Sequence, residues 1–276
     1  MKIIHVTDIH LTGEGGTVLE RSPGHNFLAC LDHIVAHHAD ADLCVITGDL
    51  AHWGEREAYE HLQQILSPFP IETRLMIGNH DDRQIFQAVF PDTPSDANGF
   101  VQWSEATKAG RFIYLDTTEP GTHAGHFGHD RQQWLRAELE NLEDEACYLF
   151  MHHHPSPIGI RAMDDIGQVN APELRAILHA HRSKIAHIFF GHCHLPLSGT
   201  VCGIPFAALR GTNHHGWQDF TGSPRLKGAE LTPAYNVVLL ENGDCVIHTI
   251  DFTYAGPIAE FGTRHADWAR EPEAAV

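Results

Sequence analysis

Short apolar runs of strand length alternate with amphipathic segments of helical period in the first 90 residues of the chain. The run at 3–6 is followed by a segment at 26–38 whose apolar side chains recur three and four residues apart, which predicts a buried strand and then a helix. The order repeats, so this region is predicted to be a βαβαβ unit with parallel strands and right-handed crossovers. The predicted strands are 2–7, 42–47 and 73–77, and the predicted helices are 26–38, 55–66 and 82–90.

The order changes after residue 90. Residues 99–103 and 111–116 predict a β-hairpin, and short alternating runs after residue 196 predict an all-β region with Asn242 and Gly243 in a hairpin turn. This mixture predicts an α/β fold in which two sheets pack face to face with helices outside. The other predicted elements are helices at 130–142 and 172–181 and strands at 147–151, 185–190, 199–202, 206–209, 235–240 and 245–250, followed by a loose tail at 266–276.

Five of the predicted strands end in a short polar group rich in Asp, Asn and His. In open α/β sheets ligands collect outside the carboxyl ends of the strands, so five such endings should converge on one crevice. We expect Asp49 to lie at its centre, where two metal ions meet. The five endings are Thr7-Asp8-Ile9-His10, Thr47-Gly48-Asp49-Leu50, Gly78-Asn79-His80-Asp81, His152-His153-His154-Pro155 and Gly191-His192-Cys193-His194.

The spacing within two of these endings suits metal binding. Asp8 and His10 lie two residues apart, so on an extended chain both side chains would point to one side, and His192 and His194 repeat that spacing. Carboxylates, imidazoles and one amide suit Mn, Fe, Co or Zn better than Ca or Mg, and the cysteines of a closed structural zinc site are missing from the set. With Asp49 bridging, two ions would lie about 3.5–4 Å apart, and we expect a metal-bridging hydroxide to be the nucleophile.

The motifs DxH, GD, GNHD, HxP and GHxH, in this order, resemble those of the calcineurin-like metallophosphoesterases, and the resemblance covers residues 2 to about 250. It implies a four-layer αββα sandwich of two mixed sheets, with Asp49 and His80 as catalytic residues. His80 would lie beside the scissile phosphate, where it stabilises charge or protonates the leaving oxygen. The implied ligands are Asp8, His10, Asp49 and His194 for the first ion, and Asp49, Asn79, His153 and His192 for the second.

Two assignments stay open in the sequence. Relatives usually place the ligand two residues before the proline, which selects His153, but the residues alone leave His152 and His154 as alternatives. Asp81 either orients His80 or caps the following helix.

The closer likeness is to the bacterial cyclic nucleotide phosphodiesterase and glycerophosphodiesterase group, the class III phosphodiesterases. The segments that carry it are GNHDD at 78–82, HHHPSP at 152–157, MDDIG at 163–167 and GTNH at 211–214, and residues 254–257 resemble the tail of the glycerophosphodiesterase branch. The likeness implies hydrolysis of small phosphodiesters, either cyclic nucleotides or glycerophosphodiesters. The alternatives are a nucleotide-sugar or nucleotide-alcohol pyrophosphatase, a phosphomonoesterase, or a non-catalytic interaction protein, although such proteins typically lose ligands or the catalytic histidine.

Candidate substrate-binding residues are Asn79, His80, His214 and Arg161. Arg161 either clamps phosphate or is a structural loop residue, and His214 with His215 either lines the pocket or is a solvated pair. The glycine-rich segment 12–24 follows the first Asp-x-His, where loops usually shape a substrate pocket.

Charge and composition narrow the partners and the location. A net charge of −18, from 36 acidic and 18 basic residues, argues against a nucleic acid polymer as partner. No stretch approaches the roughly 20 apolar residues of a membrane span, no signal peptide pattern is present, and the six cysteines lack CxxC spacing, which together predict a cytoplasmic protein. We expect residues 1–252 to form the catalytic domain and 253–276 a C-terminal tail at an oligomer contact, because the resemblance implies a homo-oligomer, a dimer or larger.

Overall fold

A computed structural model of the chain describes residues 1–143 and 145–259. The helices are α1 Pro23–His38, α2 Arg56–Leu66, α3 Arg83–Val89, α4 His129–Asn141, α5 Arg161–Asp164 and α6 Ala171–Ala180. The strands are β1 Lys2–Val6, β2 Leu43–Thr47, β3 Thr73–Met76, β4 Trp103–Thr107, β5 Gly110–Tyr114, β6 Cys147–Phe150, β7 Ile185–Phe190, β8 Leu197–Val201, β9 Ile204–Ala208, β10 His215–Gly216, β11 Gly228–Ala229, β12 Tyr235–Glu241 and β13 Asp244–Ile250.

Two large mixed sheets form the centre of the fold. The first has the order β13-β12-β1-β2-β3, in which β1, β2 and β3 are parallel, so the predicted βαβαβ unit is confirmed. The second has the order β4-β5-β6-β7-β9-β8, with β5, β6, β7 and β9 parallel and an antiparallel strand at each edge. The chain therefore has the predicted α/β architecture of two mixed sheets with helices, a four-layer αββα sandwich.

The sheets pack through aromatic side chains. Tyr114, Phe150 and Phe189 stack in sequence across β5, β6 and β7, with ring centroids 5.2 Å and 5.0 Å apart, and they share one buried cluster with residues of β1, β2 and β3. The apolar faces of α1 and α2 belong to the same cluster, whereas α4 and α6 bury theirs in a second cluster with the second sheet. Burial of both faces explains why the strands read as continuous apolar runs.

Some element boundaries differ from the sequence prediction. Helix α1 begins at Pro23 because the Ser22 side chain accepts a hydrogen bond from the His25 N–H, which makes Ser22 the N-cap. The hairpin begins at Trp103, so its first strand starts where the predicted one ends. The turn at Asn242 and Gly243 is confirmed, since both residues have the positive φ of a two-residue hairpin.

Within the described residues, no helix has the length and apolar character needed to cross a membrane. The tail predicted at 266–276 lies outside the described residues.

Candidate metal centre

The loops that follow β1 and β2 run side by side beyond the ends of their strands. The Asp8 N–H donates to the Gly48 carbonyl over 3.1 Å, and the His10 N–H donates to the Asp49 carbonyl over 2.8 Å. This backbone pairing extends the parallel sheet by a few residues, so two ligand-bearing turns from neighbouring strands are held at a fixed separation.

Five of the predicted ligands adopt a left-handed backbone conformation. They are Asp8 (φ 52°), His10 (φ 47°), Asp49 (φ 51°), His192 (φ 66°) and His194 (φ 51°). The sequence analysis placed Asp8 and His10 on an extended chain, and that part of the argument was wrong. The side chains converge because each residue sits in a tight turn that bends the backbone at the end of its strand.

The first cluster contains Asp8, His10, Asp49 and His194, whose donor atoms all lie within 4.8 Å of one another. The His10 Nε2 is 3.5 Å from an Asp49 oxygen, and the His194 Nε2 is 3.5 Å from an Asp8 oxygen. His194 donates its Nδ1–H to the His214 carbonyl over 2.8 Å, so its Nε2 faces the cluster with a lone pair.

The second cluster brings His152, His153 and His192 together on the other side of Asp49. The His152 Nε2 lies 3.3 Å from the Asp49 carboxylate and 3.1 Å from the Asn79 amide oxygen. His152 donates its Nδ1–H to the Thr47 carbonyl over 2.7 Å, and His192 donates its Nε2–H to the Ile166 carbonyl over 3.0 Å. These bonds leave the second nitrogen of each ring for the cluster, and in His152 that nitrogen, Nε2, contacts Asp49 and Asn79.

The choice of His153 as the ligand is not favoured by this geometry. The His153 Nδ1 lies 2.7 Å from the Thr117 hydroxyl, and its Nε2 lies 3.2 Å from the His123 carbonyl, so its ring is hydrogen-bonded to these two residues rather than to Asn79. His154 turns away, with its Nδ1 3.5 Å from the Cys193 sulfur. Of the three consecutive histidines, only His152 makes polar side-chain contacts with both Asp49 and Asn79.

The donor set fits cations. Two carboxylates are buried here, and the His10 Nε2 and His194 Nε2 face each other at 3.2 Å. Burial lowers the pKa of His152, but the charge of Asp49 and its hydrogen bond, together with the charge of Asp8 and the Thr47 carbonyl, raise the pKa to about 9. Buried carboxylates are costly without positive charge, and metal ions supply that charge.

His80 lies between the two clusters and the adjoining cavity. Its backbone N–H donates to Asp49 over 3.0 Å, and its Nδ1–H donates to the His52 carbonyl over 2.7 Å, which leaves Nε2 free. The sequence analysis missed His52, whose ring stacks on His80 at 5.2 Å and whose Nδ1 is 3.2 Å from the Nδ1 of His10. Its place three residues after Asp49, in the same turn, was the available signal.

Asp81 ties two of the loops together. Its carboxylate accepts hydrogen bonds from the N–H groups of Leu50, Ala51 and Gly78 and from the Tyr59 hydroxyl, at 2.8–3.1 Å. It therefore makes neither of the contacts that the sequence left open, because the neighbouring Asp82 caps α3 by accepting from the Ile85 N–H.

The candidate substrate residues divide into two groups. His214 lines the cavity beside His80, with its ring 4.3 Å from that of His194, and burial together with the neighbouring histidines lowers its pKa to about 2. His215 lines the same cavity. Arg161 is absent from the described lining and pairs with Asp165 one turn along α5, so no contact here supports its role as a phosphate clamp, which stays a prediction.

Comparisons with known proteins agree with this geometry. The calcineurin-like phosphoesterase family matches residues 1–196. A protein of Rhodopseudomonas palustris named as a probable cyclic nucleotide phosphodiesterase is 36% identical over 94% of this chain and 95% of its own length. The glycerophosphodiester phosphodiesterase of Enterobacter lignolyticus is 28% identical over 70% of this chain and 71% of its own.

A solved structure of a dimetal phosphatase from Danio rerio superposes with a TM-score of 0.68 at 17% identity, covering 90% of this chain and 95% of the other, which shows a shared fold. The match over residues 1–196 is more than half of the chain. The chain therefore belongs to the calcineurin-like phosphoesterase family, whose members are metal-dependent phosphoester hydrolases with a dinuclear metal centre.

Proposed function

We propose that this protein hydrolyses small phosphodiesters, with cyclic nucleotides as the first candidate and glycerophosphodiesters as the second. The observation that carries the proposal is the convergence of two donor clusters on Asp49, beside a cavity of about 470 Å³ that also exposes His80. The names of the relatives in Rhodopseudomonas palustris and Enterobacter lignolyticus support the same two substrate classes.

The ligand set that we propose differs from the sequence prediction at one position. Asp8, His10, Asp49 and His194 would hold one ion, and Asp49, Asn79, His152 and His192 would hold the other. The second set takes His152 instead of His153. When bound, the two ions, which we propose are drawn from Mn, Fe, Co and Zn, supply positive charge for phosphate oxygens and activate water for attack.

His80 would act on the substrate through its free Nε2. Because its Nδ1–H is committed to the His52 carbonyl, Nε2 carries a proton only when the ring is cationic. The imidazolium form can donate a hydrogen bond to a phosphate oxygen or protonate the leaving oxygen, whereas the neutral form can only accept. The His52 carbonyl thus fixes the orientation of the ring.

The ligand assignment is tested by comparing His152→Ala with His153→Ala. We expect His152→Ala to lose about one of two bound metal equivalents and most activity, because its Nε2 contacts Asp49 and Asn79. His153→Ala should keep its metal. Metal content is measured by mass spectrometry, and circular dichroism checks that both variants fold. The reverse pattern would restore His153 as the ligand.

The reaction is tested on metal-stripped protein reconstituted with manganese. The panel contains an aryl phosphodiester, an aryl phosphomonoester, 3′,5′-cyclic AMP, 2′,3′-cyclic AMP, a glycerophosphodiester and a nucleotide sugar. We expect a diester to lead and His80→Ala to lower its turnover at least 100-fold, the order of general acid–base contributions. A faster monoester would indicate a phosphomonoesterase, and a faster P–O–P bond would indicate a pyrophosphatase.

We further propose that residues 1–252 are the catalytic domain, that the protein is cytoplasmic and that it forms a homo-oligomer. The six free cysteines suit a reducing compartment. Strand β13 lies at the edge of the first sheet, and its Val246 forms an exposed apolar pair with Leu239 of β12, which suits a contact between copies. Sedimentation as a monomer of 30.7 kDa would contradict the oligomer.

A further inference from the structure

The cavity beside the metal centre has both polar and apolar walls. Asp49, Asn79 and His80 line it at the metal centre, where a phosphate would bind, and charged residues of the segment between β10 and β11 also line it, namely Asp219, Arg225 and Lys227. The rest of the wall is largely apolar and comes from four separate chain segments. It includes Leu19 of the glycine-rich segment 12–24, Trp53, Met163, Ile166, Trp217 and Leu226.

Two tryptophans in this wall are unusually exposed. Trp53 is 73% exposed and Trp217 is 50% exposed, although large aromatic side chains normally bury most of their surface. Both line the cavity, so ligand binding there would cover apolar surface that the folded chain leaves in water. This exposure indicates a binding role for the two rings, because packing does not account for it.

Trp53 extends a row of aromatic rings that begins at the reacting end. The His80 ring stacks on His52 at 5.2 Å, and the His52 ring contacts Trp53 edge to face at 4.2 Å. The Trp53 ring centroid is 6.4 Å from that of His80. A flat group attached to the phosphate through one sugar would therefore reach the Trp53 ring without leaving the cavity.

Trp217 is held by the segment that joins β10 to β11. Its backbone N–H donates to the Lys227 carbonyl over 2.8 Å, and the Lys227 ammonium pairs with Asp219 at 2.6 Å. These contacts tie the two ends of the segment together and hold the Trp217 backbone in place. A tryptophan side chain has only two torsions, so ordering its ring on a flat ligand costs little entropy.

We propose that Trp53 and Trp217 bind a planar aromatic substituent of the diester, a nucleobase, and so select nucleotide diesters over glycerol diesters. The inference rests on the proposed function and names the substrate class that the site prefers. Base–aromatic stacking is sequence-tolerant, and its usual strength corresponds to roughly 5- to 150-fold in binding per base. A glycerol substituent has no flat apolar face and would leave both rings in water.

The test compares kcat/KM for 3′,5′-cyclic AMP and for glycerophosphoethanolamine in Trp53→Leu and Trp217→Leu. Leucine keeps the wall apolar but removes the aromatic face. We expect each substitution to lower kcat/KM for cyclic AMP about tenfold more than for the glycerol diester, chiefly through KM. Trp→Phe at the same positions should recover most of the loss. Tyr254→Leu is the matched control, since Tyr254 is an exposed aromatic residue outside the cavity lining.

Equal losses on both diesters, or unchanged kinetics on cyclic AMP, would overturn the proposal while leaving phosphodiesterase activity intact. If the wild type cleaves neither diester, the proposed function fails separately. Equilibrium dialysis with AMP against glycerol 3-phosphate then decides the inference. Weaker AMP binding in Trp53→Leu and Trp217→Leu, but not in Tyr254→Leu, supports it, and equal binding in all three variants refutes it.

Discussion

Replacing Asp81 by asparagine tests whether a single buried carboxylate holds the loops of the metal centre in place. The carboxylate accepts four hydrogen bonds, two at each oxygen. The amide of asparagine keeps one accepting oxygen, but its NH₂ group would face two donors. Each buried donor left without a partner costs about 1–3 kcal/mol. The two donors together would therefore lower the free energy of unfolding by roughly 2–6 kcal/mol if the loops did not move.

We expect a loss of about 3 kcal/mol, because the loops can relax in part, and a Tm lower by about 6–12 °C for a chain of this size. Burial, followed by the charge of Asp49, raises the pKa of Asp81 to about 6, so unfolding is measured at pH 8, where the carboxylate is ionised. Because Asp81 joins the Asp49 loop to the Asn79 loop, metal affinity should fall about 10–100-fold as well.

Asp82→Asn is the matched control, one residue away and exposed to solvent. Asparagine caps helices as well as aspartate does, so this variant should lose less than about 0.5 kcal/mol and keep its metal affinity. If Asp81→Asn is no less stable than Asp82→Asn, the carboxylate does not tie the loops and the reasoning is refuted.

Three further perturbations test other parts of the structure. A methyl group at Gly78 would lie 2.5 Å from the Asp49 nitrogen, so Gly78→Ala should lose metal, whereas Gly99→Ala, in open space, should keep it when both are measured by mass spectrometry. Lys184→Met should cost about 1 kcal/mol in urea unfolding without changing kcat, because its ammonium binds carbonyls at the end of α4. Burial, together with the neighbouring His187, lowers the pKa of His5 from 6.5 to about 3. Below pH 6.5 the unfolded chain therefore binds a proton at this position, whereas the folded chain does not. The free energy of unfolding falls as the pH drops below 6.5, by about 2 kcal/mol at pH 5. His5→Gln should remove that part of the slope, and an unchanged slope would contradict it.

The sequence indicates where the candidate site forms because the same pattern recurs at five strand endings. The carboxyl ends of β1, β2 and β3 lie at one edge of the first sheet, those of β6 and β7 lie at one edge of the second, and the packing of the two sheets brings the donor clusters together around Asp49. The pattern of strand endings cannot choose between neighbouring residues of the same type. His152 and His153 differ in which hydrogen bonds their rings make, and those bonds depend on Thr47 at the end of β2 and on Thr117 in the segment after β5.

The substrate side of the cavity is harder to predict for a related reason. Arg161 has the right charge for phosphate, yet α5 turns it toward Asp165. Trp53 and Trp217 are 164 residues apart in sequence, and no local pattern connects them. Only the tertiary fold brings their rings into the wall of one cavity.

The segments 163–167 and 211–214, which resemble those of the class III phosphodiesterases, both contact histidines of the candidate metal centre. The Ile166 carbonyl accepts from His192, and the His214 carbonyl accepts from His194, so each motif supplies the backbone oxygen that orients one histidine. Such partners fix the tautomer of a ligand and raise its basicity. Each motif therefore orients one of the proposed metal ligands, whatever the substrate.

The left-handed backbone conformation of five proposed ligands lowers local stability. A left-handed conformation costs a non-glycine residue about 1–2 kcal/mol, and glycine would adopt it freely. Asp8, Asp49 and His192 accept that cost because each must present a side chain that glycine lacks. The surrounding hydrogen bonds hold the turns: the His192 N–H donates to Asp8 and the His80 N–H donates to Asp49. Among the described residues, five of the nine non-glycine residues with positive φ are proposed ligands, so this strain is concentrated at the candidate site.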